Sequence, residues 1–369
     1  MIRTQDMTAE SHPRPSIRRW IGPSGFVALA VVVLGRLLLE PARDLPRFDK
    51  EGMDAFHVVD VHRLKTHPEP FEIAALGSSV SIWGIIPEEI ATSVGLPSTA
   101  VRKLAVQGGT AFDMWHLVKR NPDQFEHLKA AIVELNPRML DDDTEGGRMR
   151  LTAAQHASFD ERRLMRLKSE RWLQKVDLIL PIYSVRRPLK DACLNVLNPS
   201  PHSQVLPNVT QRLEPFNAGW HVLGGDQKHH YFVETVTAES TANRLYGHWR
   251  LSRLYDNSLR QLLAWFRGRD IPVLFHQPPV HPDVAAHMEV TEKETQGYAS
   301  YSAYLAELDI GSPGFFTPVS CMDCDIPIHG MRDHTHLNEI GARIYSRKLG
   351  SLLRPMLEPP DVKMPVPLE

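Results

Sequence analysis

Short apolar runs that stop abruptly on glycine, asparagine or proline, each beside a helix-length pattern, constrain this chain more than any other feature. Phe71–Leu76 (FEIAAL) closes on Gly77 and precedes a helical Pro87–Val94. Ala100–Val106 closes on Gly108-Gly109 and precedes a helical Phe112–Lys119. Ala130–Leu135 (AAIVEL) closes on Asn136-Pro137, and Ile271–Phe275 (IPVLF) follows the long helical pattern Thr241–Arg267. Apolar runs alternating with helices imply βαβ units and a parallel sheet covered on both faces. The expected fold class is therefore α/β, with three layers (α/β/α) around a central parallel sheet. In such sheets functional groups gather in the loops at the carboxyl ends of the strands. Here those loops are Gly77-Ser78-Ser79, Gln107-Gly108-Gly109, Asn136-Pro137 and Gln277-Pro278-Pro279.

Composition removes whole classes. The 369 residues are 42% apolar and 23% charged, which suits a large buried core and excludes both a disordered chain and a polytopic membrane protein. A net charge of −2 leaves no bulk attraction to nucleic acid, so no nucleic-acid partner is expected. Three cysteines exclude a disulfide scaffold.

One segment stands apart. Ile21–Leu39 carries Arg36 as its only charge, a composition that predicts a transmembrane helix. Arg14, Arg18 and Arg19 precede it, so the positive-inside rule puts the N-terminus in the cytoplasm and the rest outside. The expected order is a cytoplasmic tail over 1–20, an uncleaved signal anchor over 21–39, a stalk over 40–70, a catalytic domain over 71–354 and a C-terminal tail over 355–369. Between the third and fourth strands lie about 130 residues, far more than a crossover needs, and residues 138–240 are read as an insertion. Within it, Glu161–Lys190 has nine Lys/Arg against three acids, with apolar residues at helical spacing.

The sharpest local signal is Asp333-His334-Thr335-His336-Leu337-Asn338-Glu339-Ile340-Gly341-Ala342. An Asp and a His three apart can converge on one site, the carboxylate fixing the imidazole tautomer while the other ring nitrogen meets a nucleophile. The Gly77-Ser78-Ser79 turn is the natural source of that nucleophile. The Cys321-Met322-Asp323-Cys324 pair admits a local disulfide, and His281 sits in the loop after the fourth strand. Asp141-Asp142-Asp143 reads as a solvated loop.

Taken together, G-[DS]-S early and D-x-x-H-L-N-x-x-G-A late resemble the SGNH/GDSL hydrolase superfamily, over about half of the chain. The resemblance implies a flavodoxin-like SGNH fold with Ser79 as nucleophile, Asp333 as acid and His336 as base. It also implies an oxyanion hole from Ser79, Gly108 and Asn136. The family's second block maps onto Lys103–Gly108, with Lys103 replacing its asparagine, and its third maps onto Glu134–Pro137, where only Asn136 is kept. It implies no cofactor and no metal. Membrane-anchored members resemble polysaccharide O-acetylation proteins. The implied activity is thus a serine esterase or O-acyltransferase, working on an acylated cell-surface carbohydrate or with an acyl-donor protein, with a membrane acyltransferase as a further implied partner. The competing reading is a catalytically inactive binding or assembly component on the same fold.

The anchor gives a topological expectation. Alkaline phosphatase fused after Glu369 should be active, and a cytoplasm-dependent reporter at the same place should be dark; the opposite pattern means the orientation is inverted.

Overall fold

The computed structural model describes residues 23–39, 69–106, 108–142, 157–164, 237–247, 249–295, 297–308 and 315–357. Most of the expected insertion, Cys193, and both flanks of the N-terminal helix lie outside them.

In chain order the helices and strands that matter are α1 (Pro23–Leu39), β1 (Ile73–Gly77), α2 (Ser79–Gly84), α3 (Pro87–Val94), β2 (Val101–Ala105), α4 (Ala111–Arg120), β3 (Ala130–Glu134) and α5 (Pro137–Leu140). After the long excursion come α6 (Ala238–Ala242), α7 (Arg253–Arg267), β4 (Val273–His276), α8 (Pro282–Thr295), α9 (Gly297–Glu307), the two-residue β5 (Phe315–Phe316) and α10 (Glu339–Leu357). The strands form one parallel sheet in the order β2-β1-β3-β4-β5. The order reverses direction between β1 and β3, so the crevice at their carboxyl ends is the place where an open α/β sheet binds ligands.

The strands alternate side chains between two apolar layers, as period-2 geometry requires. Ala74, Leu76, Leu104, Ala131, Val133 and Phe275 face the layer that holds Phe112, Leu259 and Phe266 of α4 and α7. Ile73, Ala75, Val101, Ile132 and Leu274 face the layer that holds Ile90, Tyr345, Leu349 and Leu353 of α3 and α10. The α/β expectation and the four strand positions match this sheet. Three elements differ from expectation.

The pattern over Thr241–Arg267 is broken. α6 ends at Ala242, a π-turn occupies Asn243–Gly247, and α7 starts only at Arg253, capped by Ser252 Oγ accepting from Tyr255 N. Here tertiary pairing overrides the helical period: Leu251 forms an antiparallel bridge with Asp141, and Ser252 N donates to Leu140 O. The excursion thus leaves and returns through paired backbone, and Trp249 Nε1 donates to Pro137 O beside it.

The N-terminal helix covers 17 residues, with Val27, Leu29, Val31, Val33, Leu34 and Leu37 exposed. Among the described residues no helix is long and apolar enough to cross a membrane, and a bilayer core needs about 20 residues. The spanning helix expected over 21–39 is therefore not present at the required length in the described segment.

Lys103 is the third difference. It lies mid-strand on β2 and is 1% exposed, where its Nζ donates to Ile82 O and Ile85 O at the end of α2. A buried ammonium is tolerable because it satisfies helix-end carbonyls that have no intrahelical partner. Lys103→Met should therefore cost about 1–3 kcal/mol in urea denaturation, since those carbonyls lose a buried donor.

Candidate active site

The first crossover turn is built around a buried carboxylate. Ser78 N and Oγ donate to Glu134 Oε2 and Oε1 at 2.8 and 2.5 Å. Ser81 N and Oγ donate to Glu134 Oε2 at 3.0 and 2.5 Å. Asn136 Nδ2 donates to Glu134 Oε1 at 2.5 Å. Glu134 is wholly buried at the end of β3, and these charge-assisted bonds replace the water it has lost. They also lock the turn after β1 against the end of β3. Gly77 is required here by close approach, because a Cβ would overlap Ser81 Oγ and lie 2.5 Å from Glu134 Oε2.

Ser78, rather than Ser79, caps the helix: its Oγ accepts from Val80 N at 3.3 Å. That leaves Ser79, the first residue of α2, free of capping duty. Its Oγ lies 3.1 Å from His336 Nε2, across 257 positions of sequence. On the ring's far side His336 Nδ1 is 2.9 and 2.8 Å from Asp333 Oδ1 and Oδ2. An acceptor carboxylate on Nδ1 places the ring proton there, so Nε2 is the acceptor that faces the serine hydroxyl.

The Asp-x-x-His segment is rigid for local reasons. Asp333 Oδ1 accepts from Thr335 N and His336 N at 2.9 and 2.8 Å, an Asx turn that fixes both ends of the motif. Met331 and Leu337 form an antiparallel bridge around it, and the buried Leu337 anchors it to the core. Asn338 then starts α10, with Oδ1 accepting from Ile340 N and Gly341 N and Nδ2 donating to His329 O and Met331 O. Burial alone would raise the Asp333 pKa. The bond to His336, its charge and the two backbone N–H groups outweigh burial and hold the carboxyl down at about 2.

Ser79, His336, Gly108 and Asn136 line one cavity of about 310 Å³, a size that suits small-ligand sites. Gly108 takes φ of 66°, a left-handed conformation that glycine adopts without strain. Asn136 is held from both ends: Oδ1 accepts from Met139 N at 3.2 Å while Nδ2 donates to Glu134. One N–H of the amide is thereby committed and the other remains available to the cavity. The Ser79 N–H, in the first turn of α2, has no intrahelical acceptor.

Of the five sequence-predicted residues, Ser79, Gly108, Asn136 and His336 line one space, and Asp333 stands behind the His336 ring. Lys103 and His281 do not line it; His281 Nδ1 accepts from Asp283 N in a loop. Cys321 and Cys324 are buried free thiols, and burial pushes Cys324 up to about 12, so it carries no thiolate at neutral pH. Sequence reasoning missed Glu134, Arg138, Arg244 and Tyr246. Of these, Glu134 had a signal: a carboxylate inside an otherwise apolar strand. No protein-family model matches the chain, and no curated protein matches its sequence.

The depressed Asp333 pKa has a sign. Its stabilisation, about 2 kcal/mol for a drop from 3.8 to about 2, is complete above about pH 5 and is lost as pH falls through 4 towards 2. Urea midpoints measured across this range should therefore fall more steeply for the native chain than for Asp333→Asn.

Proposed function

We propose that this protein is a serine esterase or O-acyltransferase of the SGNH type, acting on acyl groups of a cell-surface or secreted carbohydrate. The observation that carries the reading is the 3.1 Å contact between Ser79 Oγ and His336 Nε2, with Asp333 on the opposite ring nitrogen. The strand order β2-β1-β3-β4-β5, which is the flavodoxin-like order, supports the fold assignment.

In the proposed reaction, Ser79 Oγ attacks the ester carbonyl as its proton passes to His336 Nε2. The Ser79 and Gly108 N–H groups and the Asn136 amide hold the oxyanion of the tetrahedral intermediate. Collapse breaks the ester bond; the departing alcohol takes the proton from His336, and the acyl group stays on Ser79. Water or a sugar hydroxyl then loses its proton to His336 as it attacks the acyl-serine, and Ser79 regains a proton on release. Asp333 remains ionised throughout and stabilises the imidazolium. Water as acceptor gives an esterase, and a sugar hydroxyl gives a transferase. The carbohydrate assignment rests on the resemblance to polysaccharide O-acetylation proteins and on the proposed placement of the domain outside the cytoplasm. The exposed apolar side chains of α1 support a membrane location for the N-terminal segment.

Incubation with 4-nitrophenyl acetate should load one acetyl group on Ser79, read by mass spectrometry of the digested protein. Ser79→Ala should lose the adduct and lower kcat/KM by on the order of a thousandfold, with thermal stability nearly unchanged. Full activity in Ser79→Ala, or acetyl on another residue, would sink the reading.

A further inference from the structure

The lining of the same cavity carries two arginines that the acyl-transfer steps do not use. Arg138 follows Asn136-Pro137 on the arm where the chain leaves for its long excursion. Arg244 sits in the π-turn on the arm that returns. The two arms are pinned together by the Asp141–Leu251 bridge, the bond from Asp142 N to Arg250 O, and Trp249 Nε1 on Pro137 O. Both arginines therefore line the same space as Ser79 and His336.

Their electrostatics are unbalanced. Burial lowers the Arg138 pKa most, Arg244 lowers it further, and Asp141 alone opposes them. Among the described residues neither guanidinium makes an ion pair. Two like charges held by one cavity wall repel each other, and the repulsion is relieved when an anion enters. Guanidinium is also the side chain suited to bidentate carboxylate or phosphate. The rest of that wall is Leu245 and Tyr246, with Tyr246 fixed by the bond from Gln277 Nε2 to its hydroxyl at 2.7 Å.

We infer that Arg138 and Arg244 form an anion subsite beside Ser79, which selects acyl substrates whose sugar backbone carries a carboxylate or a phosphate. This deepens the acyl-serine reading and rests on it for the word substrate, whereas the subsite itself is a binding property. An ester group presented on a charged polymer would be oriented at one end by the arginines and at the other by the oxyanion donors. A neutral polymer would be bound without the first of these.

The test is binding to the full-length Ser79→Ala protein in detergent, by affinity electrophoresis through gels containing polygalacturonate, poly(glycerol phosphate) or neutral xylan. The expected result is retardation by an anionic polymer, weakening with added salt, and none by xylan. Arg244→Gln and Arg138→Gln should each weaken retardation about tenfold or more, and Arg244→Lys should restore part of it. The anionic polymer that retards more strongly names the group as carboxylate or phosphate. Arg244 is exposed, so its substitution leaves the core intact even if Arg138→Gln proves unstable. Equal retardation by xylan, or arginine variants that bind like the parent, would overturn the subsite. Because this readout needs no turnover, an inactive protein with an intact subsite would fail the acyl-serine test and still pass this one.

Discussion

The Glu134 carboxylate, sealed beneath the first crossover, is the interaction on which the rest of the site depends. A buried carboxylate without donors is costly; here Ser78, Ser81 and Asn136 supply them from two different strand ends. Meeting that one requirement sets the turn that presents Ser79, orients the Asn136 amide and forces residue 77 to be glycine. The position of Ser79 is thus defined by a carboxylate that never meets solvent. Replacing that charge by an apolar group would leave several donors stranded at once, so the turn and the carboxylate stand or fall as a unit.

Around this node, α10 ties the opposite wall to the sheet. Ser346 Oγ accepts from Ile86 N at 2.8 Å, just beyond α2, so the helix that follows His336 is fastened to the segment that follows Ser79. Glu89 on α3 binds Arg343 and, at 2.7 Å, Arg347 on α10. Gly350 crosses α3 so closely that a Cβ would lie 2.5 Å from Ser93 Cβ. The third wall comes from the returning excursion, whose Thr241 Oγ1 lies 3.4 Å from His334 Nδ1 inside the Asp-x-x-His segment. Three stretches far apart in sequence are held to one cavity by short polar contacts.

The parts legible in the sequence are those written in local pattern. The strands showed as apolar runs ending on turn residues, and Asp333 and His336 showed because their pairing is a three-residue turn. Ser79 was legible only through that distal motif, since a serine at a helix start ordinarily caps, and the cap turned out to be its neighbour Ser78. What escaped was set by pairing at long range. Lys103, buried mid-strand, serves the carbonyls at the end of α2. Glu134 showed only as a carboxylate inside an apolar strand, with no sign of the donors that would meet it. The break after Ala242 comes from the Asp141–Leu251 bridge, which no helical period encodes. β5 is too short to announce itself.

The Met331–Leu337 bridge closes a hairpin around the Asp-x-x-His segment. Asp333 and His336 are brought together within four consecutive residues, so their pairing is set by local chain geometry. The turn that presents Ser79 is likewise held by its own bonds to Glu134. The two halves meet across one gap, from Ser79 Oγ to His336 Nε2. A substitution far away in α3 or α10 would be felt at this site through that gap, like a spark gap whose electrodes are never themselves altered.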